Sequence, residues 1–156
     1  MHTYKILKLL PGNKFLLVVC MLCLSLTSKS QQSALVAVGN VSGVPSDMQL
    51  SELRAVFMGE KQRWKNGDRI LIALMKTNTP LGKITSAKIY DMNGDELNKF
   101  WLALVFQGKA QAPKFFNSEN ELADFVAQNP GAIGILDKPI PGSDIKFINI
   151  DGQKTF

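Results

Sequence analysis

Three short runs of unbroken apolar residues constrain the fold of this chain more than any other feature: Ala34–Val38 (ALVAV), Ile70–Met75 (ILIALM) and Ala132–Leu136 (AIGIL). Each has the length of a strand, and none alternates with polar residues, so each reads as a strand covered on both faces. Gly39-Asn40 is expected to end the first run. A fourth run, Ile145–Ile150 (IKFINI), alternates apolar and polar residues and is expected to be a last strand at a sheet edge.

Helical periodicity fills the intervals. Leu50, Leu53, Val56 and Phe57 recur at helical spacing, with Gly59 suited to the C-terminal cap. Thr79-Pro80 offers a capping residue and then proline at the first helical position, followed by a weak apolar face of Leu81, Ile84 and Lys88. Leu97, Phe100, Trp101, Leu104 and Val105 form a wide stripe for a core. Ser118 and Glu121 have capping-box spacing, with Leu122, Phe125 and Val126 inward and Pro130-Gly131 as the stop. Buried strands separated by helices give an α/β fold with one lobe: a mixed, mostly parallel sheet with helices on both faces.

Residues 1–30 read as a secretory signal peptide. Phe15–Thr27 is apolar and uncharged, preceded by Lys5, Lys8 and Lys14 and followed by Ser28-Lys29-Ser30. The run is shorter than the ~20 apolar residues a membrane-spanning helix needs. Neither Cys20, after Val19, nor Cys23, after Leu22, follows the small residue that lipidation requires. Cleavage near Ser30 leaves residues 31–156 as one exported, periplasmic domain with no membrane span. Of 18 Lys+Arg and 13 Asp+Glu, four lysines and no carboxylate lie in the leader, so 14 cations face 13 anions in the remainder. The basic excess therefore belongs to the export signal and gives no argument for a nucleic-acid partner.

The leader also holds the chain's only histidine, His2, and both cysteines. Ser-His and Cys-His catalysis and His-ligated metal sites are thereby excluded from the remainder, disulfides with them, and the chain is expected to be neither an enzyme nor a cofactor binder. Asp91-Met92-Asn93-Gly94-Asp95 has glycine fourth, not sixth, and Leu102 in the place of a calcium loop's closing glutamate, so it reads as a turn with a helix cap. Gly82-Lys83 fails as a phosphate loop, with Thr77 in the place of the first glycine and Ile84 after the lysine. Trp101 lies on the core stripe, and Trp64, between Arg63 and Lys65, reads as a lid over the core.

One arrangement points to binding. Lys76-Thr77-Asn78-Thr79 follows a buried strand and enters a helix begun by Pro80. Ligands of open α/β sheets bind at the carboxyl ends of strands, where free N–H groups and the helix dipole favour an anion. Two hydroxyls, an amide and a lysine add donors. The competing reading is a polar loop whose Thr79 only caps the helix. Ser42 and Gly43, in the polar loop after the first strand, are expected to face the same cleft.

Four landmarks in order, Leu53-Arg54-Ala55-Val56-Phe57-Met58-Gly59, Trp64-Lys65-Asn66-Gly67, Phe106-Gln107-Gly108 and Pro130-Gly131-Ala132-Ile133-Gly134, make the chain resemble phosphate-binding proteins of ABC importers from Ala34 to Asp137. It is most similar to short, stand-alone members that carry one lobe. The resemblance implies a type-two periplasmic-binding-protein lobe, a solute-binding role in transport, and a phosphate-like oxyanion as ligand, held by Lys76, Thr77, Asn78 and Thr79, with Ser42 and Gly43 beside them. Lys76 stands where the family has arginine, Pro80-Leu81-Gly82 where it has Ser-Gly-Thr, and Ile135 where it has tyrosine. Those replacements favour the alternative of an envelope interaction module that keeps the fold without the ligand. A homodimer or an envelope protein partner would supply the wall that a second lobe otherwise provides.

Overall fold

The computed structural model describes residues 34–140 and 144–156; the signal-peptide expectation lies outside them. Six strands form one sheet: β1 (Val36–Asn40), β2 (Asp47–Met48), β3 (Leu71–Met75), β4 (Lys114–Phe116), β5 (Ala132–Leu136) and β6 (Ile145–Ile150), in the order β2-β6-β1-β5-β3-β4. Four helices lie between them, α1 (Leu50–Phe57), α2 (Pro80–Tyr90), α3 (Gly94–Phe106) and α4 (Glu119–Gln128). The sheet is mixed. β3 runs parallel to β4 and β5, and β2 parallel to β6. β1 is antiparallel to both of its neighbours, β5 and β6.

The unbroken apolar runs behave as their composition dictates. Every residue of β1 and β5 is buried, as are Ile72–Met75 of β3, which requires cover on both faces of the sheet. α4 packs on β5, β1 and β3, and the bare face of Gly134 admits it: a Cβ there would lie 2.6 Å from Leu122 Cδ2. Elsewhere an edge-to-face aromatic chain runs through Phe57, Tyr90, Phe100 and Trp101, with centroids 6.4, 6.2 and 5.6 Å apart, tying α1, α2 and α3 together.

Several expectations shift. Gly39 and Asn40 extend β1 instead of ending it, because Gly39 pairs with both Ile133 and Lys146 while Val44 fills the space its Cβ would take. Buried Asn40 replaces lost backbone partners by donating to Val126 O and Ala127 O at 2.9 and 2.8 Å. β6 is not an edge strand: β2 pairs with it at Asn149 and Ile150. The inward face of α2 includes Thr85 and Ser86, which replace the expected Lys88; Ser86 Oγ returns a hydrogen bond to Gly82 O at 2.7 Å. The α3 stripe is narrower than expected. Leu97 and Trp101 are buried and Phe100 and Leu104 half-buried, but Val105 is 41% exposed, beside Leu102 at 58% and Phe106 at 82%. Ser118 caps α4 through the Glu121 N–H, yet the Glu121 carboxylate reaches the Asn117 N–H, so the reciprocal box is not closed. The closed box belongs to α3, where Asn93 Oδ1 accepts from Glu96 N and Glu96 Oε2 accepts from Asn93 N. Asp91, in a left-handed conformation with φ 55°, makes the turn before it.

Candidate functional site

The loop Lys76–Thr79 is built by its own hydrogen bonds. Lys76 N extends the strand ladder to Phe116 O at 2.9 Å, and Lys76 O then turns back to accept from Thr79 N (2.9 Å) and from Thr79 Oγ1 (2.7 Å). Thr79 Oγ1 in turn accepts from Gly82 N at 3.0 Å, so Thr79 caps α2 as its residue type and the following proline require. The turn is tight enough that only glycine fits at position 82: a Cβ there would lie 2.0 Å from Lys76 O.

These bonds set what the loop can offer an anion. The Thr79 hydroxyl and the Gly82 N–H are engaged with each other. What faces outward is the exposed Lys76 ammonium and the exposed Asn78 amide, with Thr77 half-buried beside them; the N–H of buried Leu81 has no acceptor within the helix. The first turn of α2 carries no acidic residue, so the positive end of its dipole is uncompensated. A second helix start reaches the loop. Asn98 Nδ2 donates to Thr77 Oγ1 at 3.3 Å, and Gly94, first residue of α3, approaches so closely that a Cβ on it would meet Thr77 Cβ at 2.8 Å. That second terminus brings Asp95 and Glu96, whose charges work against an anion there. Asn98 was not singled out from the sequence, and Gly94 only as part of the Asp91–Asp95 turn and helix cap; that this turn brings both to Thr77 is a tertiary contact no local motif encodes.

Ser42 and Gly43 do not join this loop. β1 runs antiparallel to β5, and β5 parallel to β3, with Gly39 opposite Ile133 and Leu71 opposite Ala132. The carboxyl end of β1 therefore lies at the amino end of β3, the full length of the sheet from Lys76. The expected shared cleft is overturned by that strand reversal. Ser42 N donates to Asn40 Oδ1 at 2.8 Å and Ser42 O accepts from Gly131 N at 3.1 Å. Gly43, at φ 86°, borders a cleft of 380 Å³ lined also by Val44, Lys61, Trp64 and Lys146. Trp64 is the lid expected of it, 4% exposed, with Nε1 donating to Gly131 O at 2.9 Å and Lys61 Nζ 5.6 Å from the ring centroid.

Among the described residues no cluster of His, Cys, Asp and Glu could hold a metal ion, and no helix is long and apolar enough to cross a membrane. No protein family and no curated protein matches the chain by sequence. Solved structures match it by fold. An ABC-type phosphate transport receptor from Vibrio cholerae superposes with a TM-score of 0.58 at 15% identity, over 79% of this chain and 48% of that one. A putative phosphate ABC transporter substrate-binding protein with bound phosphate, from Clostridium perfringens, gives 0.52 at 13%, over 77% and 46%. PstS from Borrelia burgdorferi gives 0.51 at 17%, over 77% and 48%. The likeness is one of fold. The chain has the periplasmic-binding-protein-like lobe of these receptors and spans less than half of their length.

Proposed function

We propose that this chain is an exported, non-catalytic solute-binding lobe that takes phosphate or a similar oxyanion in connection with uptake. The observation that carries the reading is the β3–α2 loop: an uncompensated helix N-terminus with Lys76, Thr77 and Asn78 around it, on the fold of phosphate receptors. Residues 1–30 act as the leader and residues 31–156 as the periplasmic domain. A lysine point charge replaces the bidentate fork that arginine provides, and one lobe leaves the ion open to water, where each charged hydrogen bond contributes less. Affinity of the lone lobe is accordingly modest, with a Kd of about 0.1–1 mM, until a second copy or an envelope partner closes the site. Isothermal titration with phosphate and sulfate tests this. Saturable one-to-one binding, weakened in Lys76→Ala and Thr77→Ala, is expected; no saturable binding, or binding unchanged in both variants, rejects it.

A second reading rests on a separate observation. Leu102, Val105 and Phe106 lie at i, i+3 and i+4 on α3 and are all exposed, a contiguous apolar face of the kind that marks protein contacts. In that reading the lobe is an envelope interaction module whose Lys76–Thr79 loop serves only to cap α2.

A further inference from the structure

A second place for an anion lies at the other end of β3. Arg63 and Arg69 face each other across an isolated antiparallel bridge. The bridge is bracketed by Trp64 N to Asp68 O at 2.9 Å and Ile70 N to Gln62 O at 3.0 Å. The two arginines therefore form the non-hydrogen-bonded pair of this ribbon, the position in which opposite side chains approach most closely. Like charges placed so destabilise a ribbon. Among the described residues the ion pair is Lys61 with Glu52, and neither arginine meets a carboxylate. Arg63 Nη1 donates to Gly67 O at 2.8 Å, which holds that side chain in place without neutralising it. These are two of the chain's three arginines.

Both line a cleft of 270 Å³ that has no Asp or Glu in its wall. Its floor is apolar, with Ile72, Trp101 and Phe125, because β4 pairs only with Ala73–Met75 and leaves the start of β3 uncovered on that side. Two lysines line it as well: Lys61, which is paired with Glu52, and Lys114, its Nζ 5.0 Å from the Phe125 ring centroid.

We infer that this cleft binds an organic carboxylate with a compact apolar body. The paired guanidinium groups match the planar, bidentate demand of a carboxylate. The floor rewards an apolar body, which an inorganic ion lacks, and the volume admits a group about the size of one aromatic ring instead of a nucleotide. The carboxylate is that of a free acid or of a peptide C-terminus.

The test is a titration of the ¹⁵N-labelled chain, followed by amide and indole N–H shifts. Three probes are used: 3-phenylpropionate, acetyl-Ala-Ala-Phe with a free C-terminus, and the same peptide as its C-terminal amide. Saturable shifts at Ile72, Lys114 and the Trp101 indole are expected with one or both carboxylates, and none with the amide. The doubly substituted R63Q/R69Q chain, whose changes are at exposed positions and leave the fold intact, binds at least about tenfold more weakly. Binding of the free acid alone assigns the site to small acids, and binding of the peptide assigns it to protein C-termini. No saturable shift with either carboxylate, equal binding of the amide, or undiminished binding by R63Q/R69Q overturns the inference. Phosphate titrated in parallel reports on Thr77 and Asn78, so failure at one site is distinguishable from failure at the other.

Discussion

Gly82→Ala is the sharpest probe of the β3–α2 loop, because two effects of opposite sign meet there. Gly82 is the third residue of α2, and alanine in a helix is preferred over glycine by about 0.8–1 kcal/mol. Propensity alone therefore makes the substitution stabilising. The loop makes it destabilising. The added Cβ would stand 2.0 Å from Lys76 O, 2.7 Å from Lys76 C and 2.9 Å from Thr79 Oγ1. Ordinary carbon–oxygen contact is about 3.3 Å or more, so the Lys76 carbonyl must withdraw by over about 1 Å. It is not free to do so, being held by Thr79 N and Thr79 Oγ1 while Lys76 N is fixed to Phe116 O. Overpacking costs about 1–3 kcal/mol, and a loop that retreats also loses the Thr79 cap, about 1 kcal/mol. After the propensity gain the net loss is about 1–3 kcal/mol. Urea unfolding followed by the fluorescence of buried Trp64 and Trp101 measures it. Thr79→Ala removes the same cap and frees the same carbonyl, so the double substitution is expected to fall short of additivity by about 0.5–1 kcal/mol. A Gly82→Ala chain as stable as the parent, or more stable, would refute the reasoning, since helix propensity would then be the whole effect. Thr77 and Lys76 move with the loop, and phosphate binding declines in step.

Burial pushes the Tyr90 hydroxyl well above its ordinary value, and neither this hydroxyl nor the buried Trp101 indole N–H has a hydrogen-bond partner within bonding geometry. The folded chain thus keeps a proton that the unfolded chain loses near pH 10: the stabilisation is complete below that pH and is lost as pH rises beyond it. Tyr90→Phe is expected to flatten the alkaline limb of the stability curve and to change stability at pH 7 by no more than about 1 kcal/mol; a steeper alkaline limb in the variant contradicts this. Phe106→Lys, at an 82% exposed position at the end of α3, leaves stability within about 0.5 kcal/mol. If the apolar face of α3 is a contact surface, sedimentation velocity shows reduced self-association in this variant, and an unchanged profile removes the face as a homodimer contact.

Local signals carried the fold and failed where the chain closes on itself. β3, β5 and β6 fall within a residue of their expected bounds because apolar runs and flanking glycine or proline are local signals. Pro80 and Thr79 marked the start of α2 for the same reason. β4 was missed: Lys114–Phe116 is three residues long and has no pattern of its own, and it is a strand only because Ala73–Met75 presents an open edge. The reversal of β1 was equally invisible, since strand direction follows from pairing and an unbroken apolar run looks the same either way. That reversal is what separated Ser42 and Gly43 from Lys76. The arginine cleft left a faint trace, two of three arginines six positions apart, but Lys114 and Phe125 reach it only through the sheet.

The length of β3 sets a limit on how the two proposed anion sites communicate. β3 has five residues and Lys76 follows Arg69 by seven positions, so charges at the Lys76 loop and at the Arg63–Arg69 pair stand about 20 Å apart at strand rise. Unit charges at that distance interact by about 0.2 kcal/mol in water. At physiological salt the Debye length is about 8 Å, which screens most of the remainder. No small ion bridges such a gap, and Ile72–Met75 of the strand between the sites are buried. The two occupancies are therefore expected to be independent. Saturating 3-phenylpropionate changes the phosphate Kd by less than about twofold, and R63Q/R69Q does the same. Lys76→Ala, conversely, leaves the carboxylate titration untouched. A shift of about tenfold in either direction would mean a coupling near 1.4 kcal/mol, several times what the charges can supply through water. The loop and the arginine ribbon would then have to belong to one moving unit, and the rigid β3 on which both sites are built would be the wrong description.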